Sequence, residues 1–191
     1  RLDVQYVDAP TLSATRGYME GVTGGNLKLD YYGDTRTSAT LSSTDSGESG
    51  WDGVSAFRIV HTASAWDTSD ETEVLGTFFA DPQDPLDWEV DGETHTRSWK
   101  LDGTLYGLST AVAAGGLVAG SGAKVKNCID SWLRNTPAHW RYGSGFKDYT
   151  FGSTKVYDRC TSYLSVLFDL CELSGNRLSV DPDGYATFDL Y

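Results

Sequence analysis

The sequence predicts an α+β fold, mainly β, in which an antiparallel β-barrel domain precedes a small α/β module with two helices and a β-hairpin. Two observations carry this prediction. Residues 1–105 contain several short strand-like segments separated by turns, which is typical of an antiparallel barrel or sandwich. Beyond Gly103 the spacing of apolar residues changes to that of helices. We place the barrel at residues 1–107 and the module at 108–191, and we expect the natural protein to continue past Tyr191.

The strands of the first domain are predicted from alternation and from β-branched or aromatic content. Segments 27–31, 37–41 and 94–101 alternate apolar and polar residues, and each follows a glycine-containing turn. Segments 57–61 and 74–79 are rich in β-branched and aromatic residues and are the strongest strand predictions. Several short strands in succession favour an antiparallel sheet closed into a barrel.

Two helices are predicted in the second module. Apolar residues recur at helical spacing in two sets: Val125, Cys128, Ile129, Trp132 and Leu133, then Leu164, Leu167, Phe168 and Cys171. Ser121 is the expected N-cap of the first helix, and Thr161 or Ser162 that of the second. Gly175 is the expected C-terminal stop of the second helix. Residues 178–190 then predict a β-hairpin with its turn at 181–184.

The charge pattern limits the classes of partner. A formal net charge of −12 arises from 15 basic and 27 acidic residues, and the basic residues are scattered singly. Readers of nucleic acid carry a basic face, so sequence-specific nucleic-acid binding and attraction to anionic membranes are not expected. The weakly apolar stretch 110–123 is interrupted by glycines and is too short to span a bilayer. Three cysteines within apolar helical patterns indicate buried free thiols rather than a disulfide framework.

Motifs of catalysis and metal binding are missing from the sequence. It contains no G-x-S-x-G motif, and segment 116–124 lacks the Lys-Ser/Thr pair of a phosphate-binding loop, so we interpret it as a flexible connector. His61 and His95 lie in separate predicted strands that could be neighbours in a sheet, but no zinc-ligand spacing accompanies them. The sequence therefore predicts neither an enzyme nor a cofactor or metal site.

Two acidic clusters have simpler explanations than chemistry. Segment 181–184 resembles the start of a calcium loop, but Tyr185 occupies the position of the next oxygen ligand, so a tight turn explains it better. The carboxylates of Asp67, Asp70, Glu71 and Glu73 crowd one predicted loop. Nothing in that loop indicates the apolar pocket that acid–base catalysis requires, so we interpret the cluster as solvated.

Aromatic residues supply the candidate binding sites. Segment 138–157 is aromatic and glycine-rich, predicts an irregular excursion and contains five candidate interface residues: Trp140, Tyr142, Phe146, Tyr149 and Phe151. Packing of this segment on its own domain is the alternative. Trp51, Trp66 and Trp88 lie near predicted loops, where they would suit a carbohydrate-binding or adhesin module, although burial explains them equally well.

The order of the segments resembles the tail hub proteins of long-tailed phages and prophages. Its markers are Gly-Val-Thr-Gly-Gly-Asn-Leu at 21–27, Phe-Arg-Ile-Val at 57–60, Val-Leu-Gly-Thr-Phe-Phe at 74–79, Lys-Leu-Asp-Gly-Thr-Leu-Tyr-Gly-Leu at 100–108, and segment 160–170 followed by the turn at 181–185. Excursion 138–157 departs from that pattern and leaves open whether the chain is a hub or a related tail or baseplate subunit.

The resemblance implies an architectural role and supplies no catalytic residue. Proteins of this kind form a ring, usually a trimer, that closes the tail tube, and their partners are tail-tube, distal-tail, fibre or tip proteins. The implied location is the virion tail, assembled in the cytoplasm of the bacterial host. An acidic inner surface would suit a channel through which DNA slides, because like charges disfavour sticking.

Overall fold

The computed structural model describes residues 1–29, 37–45, 56–64, 71–80, 87–91 and 94–191. Its contacts divide the chain into two compact units, residues 1–103 with 182–184 and residues 104–181 with 185–191. Strands predominate and three helices are present, so the predicted α+β, mainly β class is confirmed. The predicted domain boundary at 107 and 108 stays a prediction.

The described part of the first unit contains eight antiparallel strands: β1 Leu2–Asp8, β2 Ser13–Tyr18, β3 Val22–Leu29, β4 Thr37–Asp45, β5 Ala56–Ala63, β6 Glu71–Ala80, β7 Asp87–Asp91 and β8 Thr94–Asp102. Their order in the sheet is β2-β1-β5-β6-β8-β4-β3, and β7 also pairs with β8. Side chains from strands far apart in this order, such as Val4 on β1 and Leu41 on β4, share one apolar core. The sheet is therefore strongly curved around its core, where the Phe57 and Trp99 rings lie 5.1 Å apart.

The two ends of this sheet are joined by a three-residue corner, residues 19–21, because β2 and β3 are consecutive in the chain. The Met19 N–H donates to the Val4 carbonyl at 2.7 Å, and the Gly21 carbonyl accepts from the Thr44 N–H at 2.9 Å. Among the described residues no hydrogen bonds pair β2 with β3. The strand pairings of the predicted barrel thus form an open path, and the covalent corner links its ends.

The second unit contains α1 Thr104–Thr110, β9 Leu117–Ala119, α2 Val125–Leu133, β10 Trp140–Tyr142, β11 Lys155–Tyr157, α3 Tyr163–Ser174, β12 Asn176–Val180 and β13 Ala186–Leu190. The prediction of two helices in this module missed α1, which is only two turns long. The predicted hairpin is confirmed as β12 and β13. Excursion 138–157 is not wholly irregular, since it includes β10, which pairs in parallel with β13, and β11, which pairs with β9. Strand β9 likewise lies within the predicted connector 116–124.

Residues next to α3 in the sequence determine where that helix begins and ends, whereas residues next to α2 do not determine where α2 begins. The Ser162 hydroxyl accepts the Ser165 N–H at 3.2 Å, and Gly175 ends the helix in the left-handed conformation with φ of 70°, as predicted. The N-cap of α2 is Lys124, whose side chain makes no capping bond, so the prediction of Ser121 was wrong.

The core of the second unit is formed by the apolar faces of the helices and the hairpin. Leu133 of α2, Leu170 of α3 and Phe188 of β13 are fully buried in it. Cys128 and Cys171 are buried free thiols as expected, whereas Cys160 is exposed, because it lies in the turn before α3 rather than on a helix face.

Replacing Gly21 with alanine is expected to destabilise the protein by about 2 kcal/mol or more. Gly21 has a φ of +73°, and an added Cβ would lie 2.0 Å from the Thr44 carbonyl oxygen. At Gly24 a Cβ would meet no atom within 4 Å, so Gly24→Ala is the matched control. Urea unfolding of both variants measures the difference, and equal stabilities would contradict the structural role of the corner.

Candidate interaction site

The candidate interaction site is the aromatic excursion between α2 and α3, and its conformation begins with β10. Trp140 and Tyr142 pair with Ala186 and Phe188 of β13. The Gly143 N–H then donates to the Phe188 carbonyl at 2.8 Å, and the Gly145 N–H donates to the Asp189 carboxylate at 2.9 Å. The excursion therefore leaves the sheet along a defined path.

The chain passes close to the Asp189 carboxylate at two glycines, Gly143 and Gly145. A Cβ on Gly143 would lie 2.4 Å from the Asp189 carboxylate, and one on Gly145 would lie 2.7 Å from it. Real Cβ atoms do not approach other atoms so closely, so a side chain at either position would displace Asp189 or the excursion.

A buried amide holds the middle of the excursion. Asn176 has no exposed surface, its Oδ1 accepts the Lys147 N–H at 2.9 Å, and its Nδ2 donates to the Lys147 carbonyl at 2.8 Å. Its Nδ2 also donates to the Ser174 hydroxyl at 2.6 Å. The fully buried Asn176 amide is thus satisfied by both backbone groups of Lys147 and by the Ser174 hydroxyl, as buried polar groups require.

The excursion also caps α2. The Asp148 carboxylate accepts the Lys126 N–H at 3.0 Å, and the Tyr149 carbonyl accepts the Val125 N–H at 2.9 Å. The ammonium group of Lys124, the residue before the helix, lies 3.5 Å from the Asp148 carboxylate. A carboxylate at a helix N-terminus satisfies free N–H groups and interacts favourably with the helix dipole. Because this cap comes from more than 20 residues along the chain, local spacing did not reveal it.

A second carboxylate connects α2 to β10. Asp130 accepts hydrogen bonds from the Lys126 ammonium at 2.7 Å, the Trp140 indole N–H at 3.0 Å and the Tyr142 hydroxyl at 2.7 Å. The Lys126 ammonium also lies 4.5 Å from the centre of the Tyr142 ring. Burial by itself raises the pKa of Asp130, but these hydrogen bonds and the Lys126 charge outweigh it and hold the pKa below its usual range.

A similar cluster of an aspartate, a lysine and a tyrosine lies between α3 and β11. Asp169 accepts from the Tyr157 hydroxyl at 2.5 Å and pairs with the Lys155 ammonium at 2.7 Å. Burial raises the pKa of Asp169, but bonds from Lys155 and Tyr157 and the charge of Lys155 lower it overall. The pKa of Tyr157 is raised, first by burial and then by its bond to Asp169. In both clusters the carboxylate is fully engaged in holding a short strand against a helix.

The five predicted interface residues have different environments. Phe151 is buried in the core of its own unit, and Trp140, Tyr142 and Phe146 pack against that core. The Tyr142 and Phe146 rings lie 4.6 Å apart. Tyr149 is exposed over 40% of its surface, and its ring meets Phe151 edge-on at 5.7 Å. An interface role for the set stays a prediction, and Tyr149 is the exposed member of the set.

The described residues give little support to a metal site at the histidines or to a carbohydrate-binding site at the tryptophans. His61 on β5 and His95 on β8 are not on neighbouring strands, because β6 lies between β5 and β8. Among the described residues no group of three potential metal ligands is found. Trp51 and Trp66 lie outside the described residues, and Trp88 is placed on β7 by its backbone.

The first acidic cluster forms the tight turn that was expected. Segment 181–184 is the turn of the β12–β13 hairpin, in which the Asp181 carboxylate accepts the Tyr185 N–H at 3.1 Å and pairs with Arg141 at 2.6 Å. In the second cluster, Glu71 and Glu73 are exposed as expected but lie on strand β6 rather than in the predicted loop. Asp67 and Asp70 lie outside the described residues. No helix in the described part of the chain is long and apolar enough to cross a membrane.

Comparison with known proteins gives matches at the level of structure. No family model matches the sequence, and no curated protein matches it. The 43 kDa tail protein of prophage MuSo2 from Shewanella oneidensis matches with a TM-score of 0.63 and 9% identity, over 99% of this chain and 55% of that chain. A tail protein from Neisseria meningitidis MC58 matches with a TM-score of 0.64 and 10% identity, over 98% of this chain and 50% of that chain.

A chain of the Francisella PdpA–VgrG complex, in its half-lidded form, matches with a TM-score of 0.66 and 8% identity. The match covers 98% of this chain and 30% of that one. This chain therefore has the fold of prophage tail proteins, and it spans about half the length of the two tail proteins it matches.

Replacing Asp148 with alanine is expected to lower the free energy of unfolding by about 1 kcal/mol, since the first turn of α2 loses its cap. Amide exchange at Lys126 is expected to become faster. The neighbouring Lys147→Ala is the control, because Lys147 contacts Asn176 through its backbone. An effect of Lys147→Ala as large as that of Asp148→Ala would contradict the capping role.

Replacing Asp130 with asparagine is expected to cost about 1 kcal/mol at neutral pH, a value kept modest by the partial exposure of the carboxylate. A lowered pKa in the folded state stabilises the protein above the pKa of an ordinary aspartate, about 4, and this stabilisation is lost as pH falls through the lowered value. The difference between parent and variant should therefore shrink in acid. Urea unfolding from neutral pH down to below the lowered pKa measures this difference in the free energy of unfolding, and Asp158→Asn, at an exposed aspartate, is the control. A difference that does not depend on pH would contradict the lowered pKa of Asp130.

Proposed function

We propose that this chain is a structural module of a phage or prophage tail tip, of the baseplate-hub type, which assembles into a ring through protein–protein contacts. The observation that carries the proposal is the match of nearly the whole chain, both units included, to a prophage tail protein and to a second tail protein. Trimeric assembly and a location in the virion tail, after assembly in the host cytoplasm, belong to the same proposal. The role is architectural and needs no catalytic residue.

The proposed partners are other tail proteins, namely tail-tube, distal-tail, fibre or tip proteins. The match to a chain of the PdpA–VgrG complex supports a partner-bound role, because that chain is found in an assembly. The rigidly held excursion supports it as well. Tyr149 is presented by a segment that Asn176 and Asp148 fix in place, so contact with a partner would cost little conformational entropy.

The charge distribution suits a tail component past which DNA moves without binding. Residues 1–103 contain seven basic and nineteen acidic residues, whereas residues 104–191 contain eight of each. All the net charge of −12 therefore belongs to the first part of the chain. An acidic surface repels the phosphate backbone, which favours free passage of DNA over binding.

Immunogold electron microscopy tests the proposed function. Antibody raised against this chain is expected to label one end of the tails of phage-like particles released by the source organism. Antibody absorbed beforehand with the purified chain is the control and should leave the same tails unlabelled. Tailed particles without label, or label spread over the cell surface, would overturn the proposal.

A further inference from the structure

A groove of about 390 Å³ lies beside the corner of the first unit, between β1 and β3. Its walls are mainly apolar and include Leu2 of β1, Val22 and Leu27 of β3, Ile59 of β5 and Leu75 of β6. Leu2 is exposed over 62% of its surface, although it is a large apolar residue. The groove is open because the chain turns away from β1 at the corner, residues 19–21. Strand β2 pairs with β1 before this corner, whereas β3 pairs with β4 after it.

Unpaired strand edges line this groove. Arg1 exchanges both backbone hydrogen bonds with Thr62 of β5, so by antiparallel alternation the N–H and C=O groups of Leu2 and Val4 point away from β5. The Val4 carbonyl bonds Met19. In the described part of the chain no strand pairs with the remaining groups of Leu2 and Val4, or with the outer edge of β3. Such edges accept an added strand from another chain.

The charges around the groove are mostly negative. Glu20 lines an adjoining polar hollow that shares Leu2, Val4 and Val22 with the groove. Glu73 pairs across the sheet with His61, which pairs with Leu2, and Glu73 is exposed. The Arg1 guanidinium pairs with Asp3 at 2.7 Å, its main-chain nitrogen donates to the Thr62 carbonyl, and Lys28 lies toward the far end of β3.

We propose that the groove between β1 and β3 binds an extended, cationic segment of a partner protein by strand addition. Main-chain hydrogen bonds to the Leu2 edge align the segment, apolar side chains enter the groove, and lysine or arginine side chains face Glu20 and Glu73. The charge of −12 on residues 1–103 adds long-range attraction for such a segment. This inference goes beyond the tail assignment and does not depend on it.

The test uses a short synthetic peptide that alternates valine and lysine, with a fluorescent label, and a second peptide that alternates valine and glutamate. Fluorescence anisotropy is expected to show binding of the valine–lysine peptide that weakens as salt is added. Binding should also slow amide exchange at Leu2 and Val4. Failure to bind, equal binding of the valine–glutamate peptide, or unchanged exchange at both amides would overturn the proposal.

Gly24→Phe separates the groove from other surfaces. Gly24 lies on β3 at the groove, and a Cβ there meets no atom within 4 Å, so the ring hinders an incoming strand at this edge without a clash at the backbone. We expect this variant to weaken peptide binding at least about tenfold. Gly152→Phe, at an equally open glycine of the second unit, is the matched control and should bind as the parent does.

Gly24→Lys provides a second variant that weakens binding through charge repulsion, with circular dichroism to confirm that each variant is folded. Parent-like affinity of both Gly24 variants would contradict the groove as the binding site. Particle labelling remains a separate readout, so a failed peptide experiment would leave the proposed tail location unaffected.

Discussion

The buried amide of Asn176 is the interaction on which the arrangement of the second unit depends. A segment without regular structure cannot satisfy its own backbone groups, and burying them unpaired costs more free energy than a typical apolar contact returns. Asn176 satisfies both groups of Lys147, and once Lys147 is fixed, Asp148 is in place to cap α2. The position of α2 then places Asp130 against β10. These hydrogen bonds connect the excursion with α2 and β12 in one network.

The first unit meets a different constraint, which is how a single sheet encloses a core. A sheet that curves this strongly must bring its edges together, and here the chain itself joins them at residues 19–21 rather than through a row of hydrogen bonds. Only glycine fits at position 21, because the Thr44 carbonyl occupies the space of a Cβ. The same geometry leaves the edges of β1 and β3 apart. The groove is therefore a direct consequence of the way the barrel is joined.

The sequence could predict those features that depend on neighbouring residues. Helix α3 carries its cap, its apolar period and its glycine stop within one short segment, and the hairpin carries its own turn. The cap of α2 could not be predicted in this way, because Asp148 lies far along the chain from Lys126. Helix α1 and strand β10 are too short for any period to be visible.

The candidate site shows the same limit. Aromatic residues without periodicity indicated a segment of interest, but burial separates Phe151 from Tyr149, and burial depends on tertiary contacts. The i, i+4 spacing of Lys126 and Asp130 is a signal in the sequence from which a polar pair on α2 could have been predicted, and the sequence analysis missed it. Asn176 gave no comparable signal, because an asparagine after a helix stop is ordinarily exposed.

The two units handle charge in opposite ways. Over residues 104–191, which hold the second unit and the turn 182–184, basic and acidic residues are equal in number. Several of these carboxylates are committed to internal bonds with lysine, arginine, tyrosine or tryptophan. In the first unit, acidic residues outnumber basic ones by more than two to one, and those described at the start of β6 are exposed. Exposed like charges repel and are screened by salt, whereas engaged pairs are affected much less. A change in ionic strength should therefore mainly affect how strongly the first unit attracts or repels charged partners. In the second unit, the internal hydrogen bonds should determine which side chains a partner can contact.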